Sequence, residues 1–172
     1  MNVRRALASA LLLSASAVMA FAQLRNAAPA PTPPAILHAK TVFLSNLSAD
    51  SGLIPDIYSG TPDRGFNEFY AALAASHRFT IVSDPAQADL VLSLRLVAPI
   101  DVAAAREEPR PEGFPQPLPL FRLTIYDRPS HYVLWTLTEP IQKALLQRNN
   151  DKNFDDAVTA LAADLQRLAG AK

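Results

Sequence analysis

Residues 88–97 read Ala-Asp-Leu-Val-Leu-Ser-Leu-Arg-Leu-Val, with leucine at every second position from 90 to 96. A period of two is the spacing of a β-strand, so Leu90, Leu92, Leu94 and Leu96 face one way. Val91, Ser93, Arg95 and Val97 face the other. A side of four leucines must leave water. That requires neighbouring strands of the same habit and an apolar layer laid over them.

The rest of the chain supplies both. Residues 41–46 form a β-branched and aromatic run, read as the first strand. Residues 78–84 are the second, closed by Asp84-Pro85. Residues 120–127 and 131–138 alternate and are joined by the turn Asp127-Arg-Pro-Ser130. Phe121, Leu123 and Ile125, then Val133, Trp135 and Leu137, extend the leucine face.

Two amphipathic helices are expected to cover it. In the first, Thr61 is placed to cap, Pro62 to open and Asp63 to meet the positive end of the dipole. Phe66, Phe69, Tyr70, Leu73 and His77 make its stripe. Gly65 weakens its first turn by up to ~1 kcal/mol. In the second, Asn153 is the expected cap, followed by Phe154, Ala157, Val158, Leu161, Leu165 and Leu168, with Gly170 at the stop. Residues 139–150 suit either a continued strand or a short helix.

The predicted order is β-α-β-β-β-β-α. The opening β-α-β unit should be a right-handed crossover between parallel strands, and the later strands an antiparallel meander. The predicted fold class is therefore α+β: a two-layer sandwich, a mixed sheet with both helices packed on one face.

Arg4-Arg5, the 16-residue apolar run from Ala6 to Phe21, and Ala20-Phe21-Ala22 have the pattern of a signal peptide cleaved near Ala20 or Ala22. The run is shorter than the ~20 residues of a spanning helix. No cysteine is present, so neither a disulfide nor a lipidated cysteine is available. The expected organisation is a signal peptide (1–22), a proline- and alanine-rich flexible leader (23–38) and one α+β domain (39–170). The expected location is the periplasm or beyond, with no stable membrane anchor. Removing the first 22 of 172 residues leaves 150, and removing Arg4 and Arg5 leaves 14 basic against 16 acidic residues, a net of −2. A near-neutral chain without a Lys/Arg run has no field to draw nucleic acid.

The reverse face of the predicted sheet carries Arg95, Arg122, Thr124, Tyr126, Tyr132 and Thr136. Arginine and tyrosine combine large contact area with hydrogen-bonding tips, so Arg95, Arg122, Tyr126 and Tyr132 are the candidate partner-binding residues. The plain alternative is an ordinary solvated face. Residues 98–119 form a proline-rich excursion in which Pro115, Pro117 and Pro119 alternate and strip donors from one edge. The other reading of that segment is a polyproline ligand.

Other motifs are weaker. Asp151, Asn153 and Asp155 imitate the start of a calcium loop, but the sixth position is Asp156 rather than Gly and the twelfth is Ala162 rather than Glu. His38, His77 and His131 are isolated, and no nucleophile elbow, phosphate loop or dinucleotide fingerprint is present. No catalytic residue, metal site or cofactor is expected.

The passage Arg78-Phe-Thr-Ile-Val-Ser-Asp, then Ala88-Asp89-Leu-Val-Leu-Ser, resembles the strand, Ala-Asp, strand passage of the TolB amino-terminal domain and of curli-secretion-type envelope proteins. The likeness covers residues 41–97. It implies a non-catalytic module that docks other envelope components, although the propeller repeats of TolB and the lipidated cysteine of the curli-type group are absent. The leading expectation is thus a docking or assembly module of the cell envelope. The alternatives are a secreted hydrolase with dispersed acidic residues and a small-ligand carrier. Partner identity and oligomeric state are not legible.

Overall fold

The computed structural model describes residues 30–48, 57–98 and 118–170. The expected signal peptide, residues 23–29 of the leader and most of the proline-rich excursion lie outside the described residues. Thr32–Lys172 is one compact unit, and every element below belongs to it.

The β-branched and leucine-rich runs form Thr41–Asn46 (β1), Thr80–Ile81 (β2), Leu90–Val97 (β3), Leu120–Asp127 (β4) and Val133–Pro140 (β5). They make a mixed sheet in the order β2-β1-β3-β4-β5. β1 runs parallel to both β2 and β3. β3, β4 and β5 are the expected antiparallel meander. The helices are Pro34–His38 (α1), Arg64–Ala75 (α2) and Gln147–Leu168 (α3).

Cross-strand register explains the core. Leu44, Leu92, Ile125 and Trp135 form one row across four strands. Leu94, Leu123 and Leu137 form the next. Leu92 is 0% and Leu94 2% exposed. Phe69 and Leu73 of α2 and Phe154, Val158, Leu161 and Leu165 of α3 close over them. Each such side chain contributes about 1.5–3 kcal/mol by leaving water. Phe154 is the junction: Phe121 meets it edge-on at 4.9 Å, Tyr58 lies at 5.1 Å, and the Arg64 guanidinium sits 4.5 Å from its centroid.

Two arginines lock the layers. Arg64 donates to Glu68 (2.7 Å) and Asp151 (2.9 Å) and also pairs with Asp155, tying α2 to α3. The acids of the apparent calcium loop are thus spent on a cation already in the fold. Arg78 donates to the carbonyls of Ala39 (2.9 Å), Leu37 (2.9 Å) and Ala169 (3.0 Å) and stacks on Phe79. It ties together two helix ends, that of α1 and that of α3, whose carbonyls would otherwise lack donors.

Local details differ from the sequence reading. Residues 34–38, expected to end the flexible leader, form a helical turn that buries Ile36. Their apolar contact outweighs the proline content, because proline suits a first helical turn. α2 starts at Arg64, so Thr61 contributes only its backbone oxygen to the preceding turn, and Asp63 accepts from Asn46 instead (2.9 Å). His77 lies beyond α2 with φ of 53°, outside the apolar stripe. The second strand shrinks to two residues because it sits at the sheet edge. α3 begins six residues before Asn153, whose side chain donates to the Gln142 carbonyl (2.9 Å). Buried Asn150 both accepts from and donates to the Ala144 backbone, fixing the loop that residues 141–146 adopt. Val133 leaves the core face: a register irregularity at Ile125/Tyr126 sets it opposite Tyr126, and it is 53% exposed. An extra residue in one strand of a pair reverses the facing beyond it.

Gly65 is required by close approach rather than tolerated. A Cβ there would stand 2.7 Å from a Phe121 ring carbon and 3.3 Å from the Phe154 ring. Gly65→Ala is expected to lower stability by about 1–3 kcal/mol despite the better helix propensity of alanine. Urea denaturation checks the sign; an unchanged or higher midpoint would show that α2 is free to shift.

Candidate functional site

With both helices on the leucine face, the reverse face of β3 and β4 is defined by parity. Its rows follow from register: Val91 beside Tyr126, Ser93 beside Thr124, and Arg95 beside Arg122. β5 continues the last two rows with Thr136 and Thr138. The face therefore grades along the strands from apolar and aromatic, through hydroxyl, to doubly cationic.

Arg95 and Arg122 are direct cross-strand partners, and both are exposed. Among the described residues neither makes an ion pair or hydrogen bond. Like charges directly opposite each other weaken a strand pair by roughly 0.2–1 kcal/mol. This fold keeps that cost in the middle of its sheet.

At the other end of the face lies a groove of about 320 Å³ lined by Val91, Ser93, Tyr126, Asp127, Arg128 and His131. Ser93 is buried, and no hydrogen bond to its side chain is formed among the described residues. The rim is shaped by the β4–β5 turn. Asp127 accepts from the Ser130 amide (3.0 Å) and hydroxyl, and His131 takes a positive φ of 60°. Of the four candidate residues, the structure brings Arg95, Arg122 and Tyr126 onto one face. Tyr132 stands apart in the turn before β5, 75% exposed. Alternation alone put Ser93 on this face. The groove beside it was not legible, because it depends on where the turn folds back.

A second depression of about 340 Å³ collects His38, Lys40, Asp89, Asp127 and Arg128. Histidine and carboxylates converge there, as a hydrolytic site would require. Both carboxylates, however, hold backbone. Asp89 accepts from the amides of Lys40 (2.8 Å) and Thr41 (2.9 Å), which together with the Thr41 hydroxyl hold it below the usual carboxylate range. An acid so stabilised as an anion is a poor proton donor and a weak base. Its function here is to seat the start of β1 against β3.

Comparison with known proteins gives outline likeness only. No family model matches the chain, so the resemblance to the TolB amino-terminal domain gains no support there. No curated protein matches either. Among solved structures, the chain is similar to a PelC dodecamer from Paraburkholderia phytofirmans, at 18% identity and a TM-score of 0.41, covering 86% of this chain and 96% of that one. It is also similar to protein XCC0632 from Xanthomonas campestris, at 14% identity and a TM-score of 0.45, covering 80% and 89%. A third is the hypothetical protein CT253 from Chlamydia trachomatis, at 10% identity and a TM-score of 0.40, covering 77% and 94%. At these values none carries an argument about what this chain binds or does. No helix among the described residues is long and apolar enough to cross a membrane.

Two outcomes are expected. Arg122→Glu turns a repulsive cross-strand pair into an attractive one, so it should raise stability by roughly 0.5–1 kcal/mol at low ionic strength. The gain should shrink in about 0.5 M salt. A loss measured by urea titration would mean that the guanidinium is engaged in the free protein. For Asp89, the lowered folded-state value means stability that is present above the unfolded pKa of about 3.9 and lost as pH falls through the folded value. Asp89→Asn should cost roughly 0.5–1 kcal/mol at pH 7, its hydrogen bonds being weakened by solvent, and should flatten the loss of stability as pH falls below about 5. Denaturation midpoints across that range test it; parallel curves would count against the assignment.

Proposed function

We propose that the chain is a non-catalytic docking or assembly module of the cell envelope, exported by its amino-terminal segment and using the reverse face of the sheet as its contact surface. The observation that carries this reading is the exposed Arg95/Arg122 pair, set side by side with no carboxylate partner among the described residues. A purely structural sheet gains nothing from two opposed cations at neighbouring positions, and Arg64 and Arg78 show how this fold treats arginines it needs for stability. Tyr126 adds the amphipathic contact area favoured where proteins meet. The N-terminal pattern supports export, and sequencing of the exported protein should begin at Phe21 or Gln23.

Site-specific photo-crosslinking in the native envelope tests the surface. A crosslinker at Thr124, on the reverse face, should capture partners that one at exposed Thr159 of α3 does not. The charge reversal Arg95→Glu/Arg122→Glu should abolish those adducts. Equal capture from both positions, or adducts unchanged by the reversal, would place the contact elsewhere.

A further inference from the structure

We infer that the reverse face binds an acidic polypeptide segment, with carboxylates on Arg95 and Arg122 and an apolar side chain of the same segment in the groove by Ser93 and Tyr126. This inference rests on the docking reading above and names the chemistry of the occupant.

The number of charges selects the class of partner. Two guanidiniums are too few for an anionic membrane surface, which takes clusters of about 4–8 Lys/Arg, and far too few for a nucleic-acid backbone. They suit one or two carboxylates, because each planar fork accepts a carboxylate through two parallel N–H bonds. Their direct juxtaposition doubles the local positive field on a chain whose overall charge is near zero, so attraction is confined to this spot.

Geometry selects an extended segment. Residues two apart on a strand stand about 7 Å from one another on the same face. Ser93 is two residues from Arg95, and Tyr126 four from Arg122. A strand-like peptide has the same repeat. Carboxylates over the arginine row therefore place a side chain two to four residues away over the groove. At about 320 Å³ the groove is at the small end of ligand sites, sized for a side chain rather than a cofactor. Val91 and Tyr126 offer it apolar wall, and the Ser93 hydroxyl is available to the peptide backbone.

The test is an amide NMR titration of the chain with a capped phenylalanine–threonine–glutamate–threonine–glutamate peptide, whose phenylalanine and two glutamates share one face when extended. Saturable shifts are expected at Val91–Arg95 and Arg122–Tyr126. Affinity should fall at least tenfold in Arg95→Gln/Arg122→Gln, and should fall markedly with added salt. A peptide with glutamine in place of glutamate should bind at least tenfold more weakly. Both arginines are exposed, so the variant should keep its fold, checked by its amide spectrum. Tyr126→Ala supplies a second variant, expected to weaken the peptide without altering the salt dependence. The inference is overturned by absent shifts, by equal binding of the glutamine peptide, or by shifts confined to other elements. It is also overturned if phosphatidylglycerol vesicles, but not the peptide, engage the two arginines. Concentration-dependent shifts at this face without any peptide would overturn it in favour of a second copy. If the charge reversal removes crosslinks in the envelope yet the peptide does not bind, the docking face stands and the acidic occupant falls. If the crosslinks also persist, both fall.

Discussion

Leu90, Leu92 and Leu94 leave water together because they share one side of a strand that has neighbours on both edges. β3 lies between parallel β1 and antiparallel β4, so its leucines meet Val42 and Leu44 on one flank and Leu123 and Ile125 on the other. The two helices have apolar stripes of matching width and no other place to bury them. Once they settle on this face, the remaining surface of β3 and β4 is fixed as the reverse face. A register slip of one residue would bring Arg95 and Ser93 beneath the helices, which gives the hydrophobic pattern its hold over the placement of every polar group.

The arginines divide along the same line. Arg64 and Arg78 work beside the core, each partly buried, each stacked on a phenylalanine and each with an acceptor on all three guanidinium nitrogens. A desolvated guanidinium left without such partners would be strongly destabilising. Arg95 and Arg122 stand in water, where solvation satisfies them but their mutual repulsion is not cancelled by any described carboxylate. The first pair holds the fold; the second is held by it.

Asp89 shows how one residue serves in both the sequence pattern and the tertiary structure. It ends the Ala-Asp step before β3, and its carboxylate collects the first two amides at the start of β1. Its own amide donates to the Thr41 carbonyl (3.0 Å). The step is thus a junction between two parallel strands, and its chemistry is consumed in making that junction. The Asp151 and Asp155 pair tells the same story. In sequence it imitated a metal loop, and in space it surrounds Arg64.

The period of two in residues 90–97 and 120–127, and the helical stripe from Phe154 to Leu168, were enough to establish an α+β sandwich, its element order and the outward facing of Arg95 and Arg122. Side-chain alternation and helical repeat are local properties of the chain, so they are readable without coordinates. Features that hang on long-range contact were not. The helical turn over Ile36, the early start of α3, the displaced Val133, the spending of the acids on Arg64 and the groove beside Ser93 each depend on segments far apart in sequence. The pairing of Arg95 with Arg122 lies between these cases. Each side was legible, but only the strand register made them neighbours, because residues 27 positions apart acquire a common field when the sheet brings them face to face.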